Sequence, residues 1–203
     1  EIIFTRNTTE GINLVANSFG LEEGDEVIIS DKEHNSNLIP WLKLKNRGIN
    51  LVVVDSNPDN TFNIEGYSEC FSDKTKLVSI GHTSNLDGVS APVREIIKIA
   101  HRNNAKVLID GAQSMPCIET DVRDLDADFI AFSGHKMLGP TGTGVLYGKK
   151  ELLENMEQFI VGGHTVIDST YDDYKQEIMP ARFEAGLHDY AGIIGLGEAC
   201  KYI

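Results

Sequence analysis

Short runs that are apolar almost throughout punctuate the chain: Val27-Ile28-Ile29, Leu51-Val52-Val53-Val54, Leu77-Val78-Ser79-Ile80, Val107-Leu108-Ile109 and Phe129-Ile130-Ala131-Phe132. Strands buried on both faces have this character, because neither face needs polar side chains. Ile2-Ile3-Phe4-Thr5 reads as one more strand. Amphipathic stretches lie between the runs. From Val93 to Asn104, Val93, Ile96, Ile97 and Ala100 share one helical face, with Arg94, Lys98 and Arg102 on the other. Such alternation predicts an α/β fold, a mainly parallel (mixed) sheet with helices on both faces. The mixed element is Gly142-Thr143-Gly144-Val145-Leu146-Tyr147, which follows the preceding run too closely for a helical crossover. A hairpin-linked antiparallel strand is predicted there. Residues 162–180 are the least regular and predict a long loop, one that crosses to a partner subunit. Ala191 to Ile203 reads as a helix cut short. With a strand starting at once and no initiator Met, residues 1–203 read as one domain of a longer chain.

Composition narrows the function classes. The chain has 203 residues, 41% of them hydrophobic, which supports one packed domain rather than disorder. Its net charge of -13 argues against nucleic acid and anionic membrane as partners, since both call for a basic patch. No apolar run approaches the roughly 18 residues of a membrane span, and no signal peptide is visible. Cys70, Cys117 and Cys200 are odd in number and widely spaced. They match neither a zinc pattern nor a disulfide framework, so a reducing cytoplasm is expected.

The candidate chemistry gathers at predicted strand ends. Asp110, His82 and Ser133 each close a strand, and Thr8 and Thr9 lie between a strand and a helix. Ligands of open parallel sheets sit beyond the carboxyl ends of the strands, so these groups are expected to converge on one edge. Lys136, in Phe132-Ser133-Gly134-His135-Lys136, supplies an amine that can form an imine with an aldehyde, provided the amine is neutral. It can then move a substrate α-proton. Asp110 can keep a pyridine nitrogen protonated, although a lone Asp there also caps turns. Gln113 can donate to a phenolate oxygen, and Asn85 to that oxygen or to substrate; a simple turn role fits Asn85 equally. The Thr8-Thr9 helix start suits phosphate, though Thr-Thr is also an ordinary cap. Ser133 and His135 are further phosphate candidates. His34 can stack on an aromatic ring and shuttle a proton, or simply begin a helix in solvent. His101 reads as a solvated helix-face residue. Together these groups supply what pyridoxal 5'-phosphate requires.

At this point the motifs match a family. Asn7-Thr8-Thr9-Glu10-Gly11-Ile12-Asn13, Glu33-His34-Asn35-Ser36-Asn37, His82-Thr83-Ser84-Asn85, Asp110-Gly111-Ala112-Gln113, Phe132 to Lys136 with Gly139-Pro140-Thr141-Gly142, and Arg182-Phe183-Glu184-Ala185-Gly186 span nearly the whole chain. In combination they resemble the class V aminotransferase superfamily of pyridoxal-phosphate enzymes, fold type I, and most of all its cysteine desulfurases and selenocysteine lyases. The resemblance implies that Lys136 is the Schiff-base lysine, Asp110 the ring-nitrogen acid, Gln113 the phenolate ligand and His34 the stacking histidine. It implies phosphate ligands at Thr9, Ser133 and His135, with Thr8 adjoining, and a substrate-side asparagine at Asn85. The implied domain is the cofactor-binding large domain, residues 1–203, without an N-terminal arm or a C-terminal small domain. The implied reaction takes L-cysteine (or selenocysteine) to alanine and passes sulfur to an enzyme cysteine as persulfide, for iron–sulfur cluster assembly. A homodimer and a sulfur-acceptor protein are the implied partners. Other class V chemistry (transamination, an epimerase-like or a kynureninase-like reaction) and an inactive scaffold are the alternatives.

Three departures stand out. Asn7 occupies a position where the family commonly has Gly, and Leu187 one where it commonly has a hydrogen-bonding Thr. None of the three cysteines stands at the position of the nucleophile. Cys70 and Cys200 fall in predicted helices, where a small buried hydrophobe is expected. The isolated chain is therefore expected to hold cofactor with little or no sulfur transfer.

Overall fold

Seven strands form one sheet in the order β1-β7-β6-β5-β4-β2-β3 in the computed structural model, which describes residues 1–203. They are β1 (Ile2–Thr5), β2 (Glu26–Ser30), β3 (Asn50–Val54), β4 (Thr75–Gly81), β5 (Lys106–Asp110), β6 (Phe129–Ser133) and β7 (Gly144–Gly148). Strands β3, β2, β4, β5 and β6 run parallel, whereas β7 lies antiparallel to both β6 and β1. Each apolar run became a strand, and the close-following run became the antiparallel β7.

The helices are α1 (Thr8–Ser18), α2 (Asn35–Leu44), α3 (Ile64–Glu69), α4 (Val93–Arg102), α5 (Val122–Leu125), α6 (Lys150–Asn155) and α7 (Tyr190–Tyr202). Helices α1 and α2 cover one face, where Ile12, Val15, Trp41 and Leu44 pack on Ile29, Leu77, Leu108 and Leu146. Helices α3 and α4 cover the other, where Tyr67, Ile96, Ile97 and Ala100 meet Ile28, Val78, Ile109 and Ile130. Successive strand residues thus feed opposite cores, which is why the runs lack polar alternation. Each fully buried large side chain contributes about 1.5–3 kcal/mol. At Gly11 a Cβ would lie 3.1 Å from Ala131 Cβ, a tight contact, so glycine lets helix α1 sit this close to β6 without displacing it.

Register aligns the functional edge. Gly81 pairs with Asp110, so the ends of β4 and β5 stand level, and Asp110 pairs with Ala131, two residues short of the end of β6. Residues 162–180 depart from the expected loop: they carry a two-stranded antiparallel hairpin, β8 (Val166–Ser169) and β9 (Tyr174–Gln176). Val166-Ile167 and the Tyr174 strand are short and largely exposed, leaving little sequence pattern to read.

Candidate active site

All the sequence-predicted site residues except His82 line one cavity of about 340 Å³ beyond the carboxyl ends of β4, β5 and β6. Thr8 and Thr9 come from α1, and His34 from the turn between β2 and α2. Asn85 follows β4, and Asp110 closes β5 with Gln113 just after it. Ser133 closes β6, and His135 and Lys136 lie on the single helical turn Gly134–Lys136 that follows. Gly134 is dictated by space, since a Cβ there would collide with Thr143 Oγ1.

The helix start is built differently from the Thr-Thr cap the sequence suggested. Asn7 is the cap: its Oδ1 accepts Glu10 N at 2.9 Å. Thr8 is buried and faces Ser133 instead, with Oγ1 2.7 Å from Ser133 Oγ and its N–H donated to that oxygen at 2.8 Å. Thr9 Oγ1 lies 2.7 Å from Ser36 Oγ and so couples α1 to the start of α2. The positive end of the α1 dipole and these hydroxyls form one anion-binding corner.

His34 caps α2. Its Nδ1 accepts Ser36 N at 3.1 Å, which puts the proton of the neutral ring on Nε2. Asp110 is 7% exposed, and Oδ1 accepts Ala112 N at 2.9 Å, while Oδ2 has no partner within the chain. Burial raises the Asp110 pKa; the Ala112 N–H and the charges of Lys136 and His34 pull against that rise. Lys136 Nζ makes neither a hydrogen bond nor an ion pair within the chain, which leaves it free for covalent chemistry.

Some residues were missed or misplaced by sequence. Lys32 lines the cavity with its ammonium already engaged, 2.8 Å from both Asp87 Oδ2 and Asn60 O. No local pattern signals that tie, because its partners come from distant turns. His82 does not join the site; it faces a separate cleft with Arg94 and Asp121, and burial lowers its pKa. Side chains alternate along an extended segment, so Gly81 and Thr83 reach the cavity and residue 82 turns away. His101 is no free surface group: Nε2 lies 2.7 Å from the fully buried Asp128. Cys200 is exposed on α7 rather than buried; Cys117 is exposed too, and Cys70, half-buried, has its thiol pushed up to about 11 by burial. None of the three lines the cavity. His164 and His188, unassigned by sequence, approach at 3.3 Å between Nε2 atoms, and His188 Nε2 also lies 3.3 Å from Glu184 Oε2.

Comparison with known proteins agrees with the motifs. Residues 1–203 match the family described as aminotransferase class-V, and the chain belongs to it. A probable cysteine desulfurase of Halalkalibacterium halodurans is 50% identical over 208 aligned positions, covering all of this chain and 51% of that protein. A cysteine desulfurase of Synechococcus elongatus is 46% identical and is covered over 33% of its length. The chain thus spans about half or less of these curated relatives. Among solved structures, the cysteine desulfurase CsdA of Escherichia coli, described as an S-sulfonic acid, superposes with a TM-score of 0.96 at 39% identity, covering 99% of this chain and 51% of that one. A cystine C–S lyase in complex with its product cysteine persulfide superposes at 0.90 with 27% identity, 99% of this chain and 55% of that one being covered. The fold is therefore that of these enzymes, a mixed seven-stranded sheet with helices on both faces.

Proposed function

We propose that residues 1–203 are the cofactor-binding large domain of a cysteine desulfurase and that the cavity holds pyridoxal 5'-phosphate. The donor set supports this. A buried carboxyl with one free oxygen, an unpaired lysine and a hydroxyl-lined helix start face one cavity from adjacent strand ends. The presence of Asp110 and Lys136 in the same cavity is the observation that carries the reading.

Thr8, Thr9, Ser133 and His135 bind the phosphate at the α1 N-terminus. Asp110 Oδ2 holds the proton on the ring nitrogen, and His34 packs against the ring. Gln113 and Asn85 donate to the ring oxygen or to the substrate. Lys136 Nζ anchors the cofactor, then takes and returns the proton at the substrate α-carbon. The cofactor, when bound, supplies an electron-accepting ring that stabilises negative charge at that carbon. In the whole protein, sulfur passes from L-cysteine to a cysteine thiolate as persulfide and alanine is released. That thiolate is placed outside this chain, because Cys70, Cys117 and Cys200 all lie away from the cavity. Selenocysteine as substrate, a homodimer, a sulfur-acceptor protein, service to iron–sulfur cluster assembly and a cytoplasmic setting belong to the same proposal. No helix is long and apolar enough to cross a membrane.

Borohydride tests the reading. The purified chain mixed with cofactor should show an absorption band at the visible edge, and reduction should fix the cofactor's mass on Lys136. Lys136→Ala should lose both. Steady alanine release from cysteine by this chain alone would contradict the placement of the nucleophile. A scaffold that never binds cofactor is the second reading; Leu187, 87% exposed where a donor is customary, favours it, and absence of the band would establish it.

A further inference from the structure

Glu33 stands behind the cavity and takes no part in the chemistry above. Its carboxyl joins three elements. Oε1 lies 2.5 Å from Ser30 Oγ at the end of β2, and Oε2 accepts Asn37 Nδ2 from α2 at 2.6 Å and Gly81 N from the end of β4 at 2.9 Å. Asn37 is fixed in this orientation, because its Oδ1 already accepts Ser79 Oγ at 2.5 Å and Trp41 Nε1 at 3.2 Å. Ser30, Asn37, Ser79 and Trp41 are all buried. The residue as a whole is half-buried, but its carboxyl points into this buried group.

No cation offsets a charge here. Glu33 forms no salt bridge, and the neighbouring Lys32 ammonium turns to Asp87 at 2.8 Å. The titratable groups that face the carboxyl are Asp110 at the end of β5 and the buried Tyr67 phenol on α3, with His34 beside it in the chain. Neither Asp110 nor Tyr67 can supply positive charge. Burial pushes the Glu33 carboxyl up to about 7 against the pull of its hydrogen bonds, and Asp110 adds to the rise. An enclosed carboxyl with no counter-charge keeps its proton to a higher pH than a solvated one does.

We propose that Glu33 is a positioning residue of the cofactor site, a clasp that ties the His34 turn to the end of β4 and leaves Asp110 as the one carboxyl group lining the cavity. The proposal rests on the cofactor reading, since the cofactor ring is what His34 would be positioned against. Ser30 Oγ donates to Oε1, and Oε2 accepts from Asn37 Nδ2 and Gly81 N, so both carboxyl oxygens are engaged. Ionisation sets an unpaired charge in this enclosed group and a second negative charge near Asp110. Burial and repulsion from Asp110 then work against the clasp at Gly81, where the fit is close: a Cβ at that glycine would sit 3.3 Å from Oε2.

The test compares the wild type, Glu33→Gln and Glu33→Ala as the full chain. Cofactor affinity is read from the visible-edge band between roughly pH 6 and pH 8.5, a range bracketing the carboxyl's midpoint. The Gly81 amide proton is followed by NMR without cofactor over the same range. Glu33→Gln, permanently uncharged, should bind cofactor with a flatter profile, the wild type losing about tenfold relative to it at the alkaline end. The wild-type Gly81 amide should titrate with its midpoint near that of Glu33 and be flat in Glu33→Gln. Glu33→Ala should bind about tenfold more weakly throughout; if it does not fold, the Gln comparison stands alone. Overlaid wild-type and Glu33→Gln affinity profiles, or a wild-type Gly81 amide that does not titrate, overturn the clasp while a Lys136-dependent band upholds the cofactor reading. A wild type with no band, indistinguishable from Lys136→Ala, overturns both.

Discussion

Ser133 Oγ lies 2.7 Å from Thr8 Oγ1 and accepts Thr8 N at 2.8 Å, so one hydroxyl joins the end of β6 to the first turn of α1. Ser133→Ala leaves the buried Thr8 N–H without its partner. Equilibrium urea unfolding should show a loss of about 1–3 kcal/mol, the cost of an unsatisfied buried donor. Cofactor titration should show affinity reduced by about tenfold or more, because the phosphate corner loses both a donor and its alignment. Normal affinity with reduced stability would remove Ser133 from the phosphate site.

Asp110→Asn keeps the shape of the carboxamide-sized side chain and its acceptor for Ala112 N. It cannot hold a proton on a pyridine nitrogen as a carboxylate does. Exchange of the substrate α-proton for deuterium, measured by NMR on the cofactor-loaded chain, should slow by about 10²–10⁴-fold, while the visible-edge band persists. An unchanged exchange rate would assign Asp110 a structural role only.

The folded-state pKa of Glu33, about 7 against an ordinary value of 4.5, fixes the sign of a stability change. The folded protein binds the proton more tightly than the unfolded chain does. Stability from this group is therefore full below pH 4.5 and is lost as pH rises from there through about 7. The unfolding free energy of the wild type minus that of Glu33→Gln should fall across this interval by an amount on the order of 3 kcal/mol. A difference that stays constant with pH, or grows, would contradict the assignment of the proton.

Asn7 caps α1 through its side chain, Oδ1 accepting Glu10 N at 2.9 Å. Asn7→Ala should cost about 1 kcal/mol of stability, and Asn7→Gly only a few tenths, since glycine adopts the cap conformation and exposes the first-turn amides to water. Thermal unfolding of the two variants checks the order. Equal losses would mean that the Asn7 side chain contributes nothing beyond its backbone.

The sequence disclosed whatever depends on period and local chemistry. Apolar runs such as Val107-Leu108-Ile109 located the strands because burial on both faces suppresses alternation. Asp110 and Ser133 were placed at the functional edge because the strands end there. The short spacing before Val145 exposed the antiparallel strand. Contacts made across the fold were not legible. The Thr8–Ser133 bond, the Lys32–Asp87 tie and the Glu33 clasp each join segments that only the sheet order brings together. His82 was misassigned because its position at a strand end says nothing about which way the side chain turns. The β8–β9 hairpin, with Val166 to Ser169 mostly exposed, lacks the apolar repeat that betrays a packed strand.

Strand β1 pairs only with β7, and Phe4 N is further held by Glu184 Oε1 at 2.6 Å. During synthesis, residues 2–5 precede residues 144–148 and find no neighbour in the sheet until those have followed them out. Lys136 lies just before that late strand, between β6 and β7. A polypeptide interrupted before β7 would leave β1 unpaired and β6 with an open margin, an invitation to association with other chains.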